Sequence, residues 1–441
     1  DASPRSCSVH AVFSMELAMA VLTTFLLLLV IPTYASTEIS IVPLYSKRGP
    51  SSSPDGLINA VLTMAGNDHQ RLLYLSNLKT QKPTSVPLAS GLQVMNLNSY
   101  VVKVKLGTPG QTMSMVFDTS SDAAWVPCSG CTGCSGAALF SPNISSTYVS
   151  MDCSVDKCGQ ARGFSCPATG SSGCLFNQTY GGGSVFSAFL VKDSLTLGND
   201  VVPEYSFGCV NSISGGSIPP QGLLGLGRGP LSLLSQTGNH FSGVFSYCLP
   251  SFRSYYYSGS LKLGPAGQPK SIKSTPLLRN PHRPSLYYVN LTGITVGKIR
   301  VPIPTQFLSF DPSTGAGTII DSGTTITRFI QPVYEAIRDE FRKQVTGPFS
   351  SLGAFDTCFS SNAEEAAPPI TFRFAGMDLV LPMENSLIHS SSGSLACLAM
   401  AAAPNNVNSV LNVIANLQQQ NLRILVDVAG SRLGIAREQC N

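Results

Sequence analysis

Met115-Val116-Phe117-Asp118-Thr119-Ser120-Ser121-Asp122-Ala123-Ala124-Trp125-Val126-Pro127-Cys128 is the stretch on which the reading of this chain turns. Apolar residues lead into Asp118, and three hydroxyl-bearing residues follow it at once. A strand that ends in a carboxylate inside a hydroxyl-lined turn is expensive to bury unless the carboxylate has partners. The same grammar returns far downstream in Gly317-Thr318-Ile319-Ile320-Asp321-Ser322-Gly323-Thr324-Thr325. Two copies of one unusual turn point to two related halves, each giving one carboxylate to a shared site.

Composition agrees with that division. A chain of 441 residues is long for a single core and suits two lobes. Only 12% of residues are charged, against 40 glycines and 30 prolines, so turns are plentiful and long amphipathic helices few. That balance favours an all-β fold. The net charge of +4 is small for this length, and no Lys/Arg run is dense enough to predict nucleic-acid binding.

The N-terminal region reads as a targeting segment. Residues 20–31 form an apolar run of signal-peptide length, followed by Thr33-Tyr34-Ala35 with small residues at the cleavage-like positions. The run is short for about 30 Å of hydrocarbon, so no stable membrane anchor is expected. Met15 stands just before the run and is expected to be the initiator, with residues 1–14 not native and 1–35 together a leader plus signal peptide. The expected destination is extracellular, the apoplast or cell wall, with vacuole or plastid as alternatives. Of 13 cysteines, setting aside Cys7 leaves an even number, enough for six disulfides in an exported protein. The Cys128-x-x-Cys131-x-x-Cys134 spacing would bind metal in another context; behind a signal peptide it reads as disulfides. Sequons at Asn143, Asn177 and Asn290 are compatible with glycosylation.

Taken in order, residues 36–85 read as a pro-segment, without a cysteine to tie it down. The N-terminal lobe is placed at 98–276. Tyr100 to Leu106 and Thr112 to Phe117 are its first strands, with Gly107-Thr108-Pro109-Gly110-Gln111 as the turn between them. Residues 128–174 form a cysteine-rich insertion too irregular to fold without staples. Leu175 to Leu190 reads as a hairpin around Gly181-Gly182-Gly183, with a mobile tip and Tyr180 at its base. Gly222-Leu223-Leu224-Gly225 follows the first Asp turn at about the distance at which Val413-Ile414-Ala415-Asn416-Leu417 follows the second. Each half thus carries an Asp turn and a later apolar strand that packs beside it. The prolines between Pro276 and Pro284 mark the lobe boundary, and the C-terminal lobe is placed at 285–441. Gln331 to Val345 is the one long helix, with Pro332 in its first turn and Val333, Ile337, Phe341 and Val345 on its core face.

Other catalytic signatures are missing: there is no G-x-S-x-G elbow, no H-E-x-x-H and no convincing P-loop or dinucleotide fingerprint. Two carboxylates brought together across a lobe interface cannot both ionise cheaply, so they share a proton and titrate as a pair. One can then deprotonate a water while the other polarises a carbonyl, without metal or cofactor. The bland alternative is that both Asp residues only cap turns.

Asp118-Thr119-Ser120-Ser121, Asp321-Ser322-Gly323-Thr324, Tyr180-Gly181, Gly222-Leu223-Leu224-Gly225 and Gln418-Gln419-Gln420-Asn421 together resemble the pepsin-like aspartic endopeptidases. The cysteine-rich insertion after Trp125-Val126-Pro127-Cys128 is similar to that of the plant nepenthesin-type branch. The Asp-Thr-Ser-Ser-Asp-Ala-Ala-Trp segment looks closest to its atypical subgroup, which includes proteins similar to a chloroplast nucleoid DNA-binding protease. The resemblance implies two β-barrel-like lobes with a central cleft and a few short helices. It implies a monomeric zymogen that cleaves polypeptides held extended, with Asp118 and Asp321 as the catalytic pair. Tyr180 would be the flap tyrosine, accepting the Trp125 indole N–H. Thr119, Ser121, Ser322 and Thr324 would buttress the carboxylates, Gly323 would permit the tight second turn, and Cys358 and Cys397 would form a disulfide. Three positions depart from the usual pattern. Ser120 and Ala415 stand where most members have glycine, and Gly182 replaces a common acidic flap residue. Ser120 leads to an expectation of weaker or less acid-shifted activity. The rival readings are an inhibitor or binding protein on the same scaffold, as among plant xylanase inhibitors, and DNA binding, for which the chain lacks a basic segment.

Overall fold

The computed structural model describes residues 83–134, 138–166, 173–404 and 409–440. The leader, the signal peptide and nearly all of the expected pro-segment lie outside the described residues. Among the described residues, no helix is long and apolar enough to cross a membrane.

The first half of the fold runs through β1 (Thr84–Ser90), β2 (Tyr100–Leu106), β3 (Gln111–Asp118) and β4 (Trp125–Thr132). It continues through β5 (Leu175–Thr179), β6 (Val185–Leu197), β7 (Asp200–Ser214) and β8 (Leu223–Gly225). Three strands follow at the junction: β9 (Val244–Cys248), β10 (Gly259–Leu263) and β11 (Lys273–Leu278). The second half contributes β12 (Gly317–Ile320), β13 (Thr327–Phe329), helix α1 (Gln331–Gln344), β14 (Met400–Ala402) and β15 (Leu411–Ile414). β16 (Leu422–Asp427) and β17 (Arg432–Arg437) close the chain. Further strands and short helical segments complete the described residues. The fold is all-β with two lobes, as the composition predicts.

Each lobe repeats one arrangement. β3 runs parallel to β8, with Leu223 beside Val116 and Gly225 beside Asp118. β12 runs parallel to β15, with Ile320 beside Ile414. The strand after each Asp turn crosses that partner antiparallel, at Trp125–Leu223 in one lobe and Arg328–Val413 in the other. Parallel strands are covered on both faces and read as continuous apolar runs, which is why Leu223, Leu224 and Ile320 carry the signal seen in the sequence. The predicted second strand is one turn too long: it ends at Ile414, and Asn416–Gln419 winds into a 3₁₀ turn.

Two domain boundaries differ from the sequence reading. The pro-segment expected through residue 85 overlaps β1, which starts at Thr84 and pairs with both β10 and β2. Val86 and Leu88 alternate into the core with no exposed surface, so this strand belongs to the folded lobe rather than to a separable segment. The lobes are also not a clean split near Pro276. A six-stranded antiparallel sheet in the order β1-β10-β9-β16-β17-β11 joins them, and β16 and β17 come from the C-terminal end of the chain. Pro276 lies within β11, opposite Arg432. α1 forms as predicted, with Val333, Ile337 and Phe341 fully buried.

Candidate active site

β3 and β12 deliver Asp118 and Asp321 to the junction of the lobes, where both carboxylates are nearly buried. Each is caged by the turn that follows it. The Ser120 amide and hydroxyl donate to Asp118 Oδ1 at 2.7 and 2.8 Å, and the Ser121 hydroxyl donates to Oδ2 at 2.6 Å. The Gly323 amide donates to Asp321 Oδ1 at 3.0 Å, and the Thr324 hydroxyl to Oδ2 at 2.6 Å. The two cages match atom for atom, except that Ser120 adds a hydroxyl that Gly323 lacks.

The residues between cage and carboxylate tie the lobes together. The Ser322 amide donates to Thr119 Oγ1 at 2.9 Å, and the Thr119 amide donates to Ser322 Oγ at 3.1 Å. Thr119 Oγ1 also lies 3.4 Å from Asp321 Oδ1, and Ser322 Oγ lies 3.4 Å from the Phe117 carbonyl. This reciprocal grip fixes the separation of the turns, so each carboxylate is held by its own lobe and steadied by the other.

Burial and the neighbouring Asp118 carboxylate push Asp321 up to about 6, against the opposing pull of its Thr324, Gly323 and Ser120 hydrogen bonds. The shared proton of the pair therefore lies toward Asp321.

Gly323 has a different reason from the one expected. Its backbone is not in the left-handed region. A Cβ at this position would stand 2.5 Å from Asp118 Oδ1, so glycine is required there for space across the interface rather than for the turn. Close approach also explains Gly225, where a Cβ would meet the Asp122 carbonyl at 2.5 Å.

The predicted hairpin forms from β5 and β6 in the register Leu175–Phe189 to Thr179–Val185. The base of its tip is held by hydrogen bonds. The Tyr180 amide donates to the Ser184 carbonyl at 2.7 Å, and the Ser217 amide to the buried Ser184 hydroxyl at 3.1 Å. Tyr180 and Trp125 meet edge to face at 6.2 Å between centroids, with Phe186 packed 4.6 Å from the indole. The expected hydrogen bond from the indole is not made with good geometry, and Tyr180 Oη has no partner among the described residues. Burial pushes the phenol up to about 12, opposed by the nearby indole N–H and reinforced by the Asp118 charge.

Several supporting residues were given no role by the sequence reading. The Asp122 carboxylate accepts from the Gly229 amide at 2.8 Å and from the Ser285 hydroxyl, linking the first turn to the lobe junction. Gln419 Nε2 donates to the Asp321 carbonyl at 3.0 Å, while its Oε1 accepts from Tyr247 at 2.6 Å. Asn416 donates to the Ser322 carbonyl at 2.9 Å. The only signal for these was their position: an acid four residues after Asp118, and amides crowded after the second apolar strand.

All twelve cysteines among the described residues pair. Cys358–Cys397 forms as the resemblance implied. The Cys-x-x-Cys-x-x-Cys run resolves into Cys131–Cys134, with Cys128 reaching Cys209. Cys153–Cys166, Cys158–Cys174 and Cys248–Cys440 complete the set. Cys153, Cys158 and Cys166 cluster closely, but each is spent in a disulfide. Asn143 and Asn177 are exposed; Asn290 is half-buried.

Comparison with known proteins places this geometry. Family models described as "Xylanase inhibitor N-terminal" and "Xylanase inhibitor C-terminal" match residues 100–265 and 286–437. The chain is 60% identical to "Aspartyl protease AED3" of Arabidopsis thaliana over 92% of this chain and 92% of that protein. The chain belongs to the plant pepsin-like aspartic protease family. Within that family it is also 52% identical to "Aspartyl protease 25" of Oryza sativa subsp. japonica, over 88% of this chain and 92% of that one. It is 34% identical to "Aspartic proteinase nepenthesin-1" of Nepenthes gracilis, over 84% of this chain and 83% of that one. Among solved structures, basic 7S globulin from soybean aligns with a TM-score of 0.65 at 22% identity, covering 80% of this chain and 96% of that one. That likeness concerns the fold alone.

Proposed function

We propose that the chain is an aspartic endopeptidase, secreted and made as a zymogen, that hydrolyses peptide bonds with a water activated between Asp118 and Asp321. The observation that carries this reading is the pair of matched donor cages, joined by the reciprocal Thr119–Ser322 grip. A turn cap needs one such carboxylate; two, facing each other and sharing a proton, suit acid–base chemistry.

In the proposed reaction, the ionised carboxylate takes a proton from the water as its oxygen attacks the scissile carbonyl carbon. The protonated carboxyl donates to the carbonyl oxygen, giving a neutral tetrahedral diol. As the diol collapses, the C–N bond breaks, the protonated carboxyl gives its proton to the leaving nitrogen, and one diol hydroxyl returns its proton to the other carboxylate, so the pair again holds one proton. Tyr180 and the β5–β6 hairpin would cover a peptide held extended and exclude water. Trp125 and Phe186 hold Tyr180 by packing. Thr119, Ser121, Ser322 and Thr324 keep the carboxyl groups in place.

Export is supported by the apolar run at residues 20–31 and by six disulfides, which persist in oxidising compartments. The apoplast or cell wall is the proposed destination, with a monomer as the working form and carbohydrate at the exposed Asn143 and Asn177. The descriptions of the matched family models favour a second reading, an inhibitor on this scaffold. The complete dyad and flap weigh against it.

The test is titration of the purified mature protein with a statine-type transition-state mimic between about pH 3 and 6, beside Asp118→Asn. Stoichiometric binding and cleavage of unfolded protein are expected, with the variant slower by at least about 10³-fold. A protein that neither binds the mimic nor cleaves would sink the endopeptidase reading.

A further inference from the structure

Beside the Asp118 turn lies a cavity of about 280 Å³. Ser120, Ser121 and Asp122 line it together with Gln160, Arg162 and Gln178. The two serines are those whose hydroxyls hold Asp118, so the cavity opens within one side chain's reach of the carboxyl pair. It has room for about nine waters at liquid density, and so for one long side chain.

The charges around it are unequal in their engagement. Asp122 is satisfied within the wall, one oxygen on the Gly229 amide and the other on the Ser285 hydroxyl. Arg162 is exposed and forms no ion pair with a described residue. No carboxylate stands at residues 135–137 or 167–172 either. The other contributors, Phe176, Gln178, Pro230, Leu231 and Pro284, do not titrate. Arg162 is held at this rim by the insertion, between the Cys153–Cys166 and Cys158–Cys174 staples and next to the buried Ala161.

We propose that this cavity takes an acidic side chain, Glu or Asp, from a substrate residue flanking the scissile bond, with Arg162 as its counter-ion. The inference rests on the endopeptidase reading and deepens it: the cysteine-rich insertion becomes a specificity element that reaches the peptide. The carboxylate accepts charge-assisted hydrogen bonds from the guanidinium and neutral ones from the Gln160 and Gln178 amides. A free Glu side chain titrates near 4.3, so the preference is full at pH 6 and fades as the substrate carboxyl protonates below about pH 4. Arg162 keeps its charge throughout.

The test separates binding from turnover by using the Asp321→Asn chain. Two dye-labelled extended peptide pools, alike except that Glu in one is Gln in the other, are titrated into it at pH 6 and followed by anisotropy. The Glu pool should bind about 5-fold tighter, and the ratio should approach one at pH 3.5. Arg162→Ala should abolish the ratio without altering affinity for the Gln pool, and Arg162→Glu should favour a Lys pool instead. Equal affinities for the Glu and Gln pools, or a Glu preference that survives Arg162→Ala, overturns the proposal and leaves the endopeptidase reading intact. Failure of both pools to bind overturns the two together. Cleavage of the Gln pool by the wild-type chain reports on the endopeptidase reading alone.

Discussion

Ser120 makes the two carboxyl cages unequal. Its hydroxyl lies 2.8 Å from Asp118 Oδ1 and near enough to Asp321 to hold that carboxyl down. The expectation drawn from the sequence is of weaker or less acid-shifted activity, and its second alternative has the opposite sign to this contact. A donor to an ionised carboxylate stabilises the charged form and makes the pair give up its proton earlier. Ser120→Gly should therefore move the alkaline limb of the kcat/KM profile upward in pH, since Asp321 keeps its proton longer. A limb that stays put would show that the hydroxyl serves Asp118 alone. The carboxylates and their hydroxyl neighbours were legible in the sequence because the pattern occurs twice. The reciprocal grip was not, because the choice of amide for each hydroxyl depends on how closely the lobes approach. Gly323 was picked for turn geometry, whereas its reason is the Asp118 oxygen opposite.

At the scale of elements, the β5–β6 hairpin was legible from its glycine tip and flanking aromatics, which fix register locally. The cysteine pairing of the insertion was not, because many connectivities fit one count and only coordinates choose among them. Phe164–Ser165 of the insertion pairs with the start of β5, yet Phe164 is half exposed, so this short strand adds little buried apolar surface of its own. The Cys158–Cys174 link closes a 16-residue separation with both sulfurs in the core. Replacing both cysteines by serine should lower unfolding stability by about 3 kcal/mol, read as a shifted urea midpoint. A midpoint unchanged within error would mean that the insertion is held by packing alone.

For the whole molecule, the boundary read from the prolines fails because strand pairing between distant segments leaves no local trace. Arg423 is fully buried where β16 crosses β9 and β10. Its guanidinium donates to Glu438 Oε2 at 2.8 Å and to Ser260 Oγ at 2.8 Å. Those bonds hold the Glu438 carboxyl below the usual range. A depressed folded value means stability that is present above the unfolded value and lost as pH falls through the folded one. The melting temperature of the wild-type chain should exceed that of Glu438→Gln most clearly near pH 6, with the gap closing below about pH 4. A constant gap from pH 3 to 7 would place the effect in packing instead of charge.

The shared sheet has a further consequence for the integrity of the chain. β16 is hydrogen-bonded to β9 along its length, and Cys440 is joined to Cys248 across a separation of 192 residues. A protease that nicks the exposed stretch from Pro281 to Pro284 would thus release neither half, and the product would be a two-chain protein that comes apart only on reduction and unfolding. The same closure means that β9 lacks its second neighbour until β16 has been synthesised, so completion of the sheet must wait for release of the C-terminal strands from the ribosome.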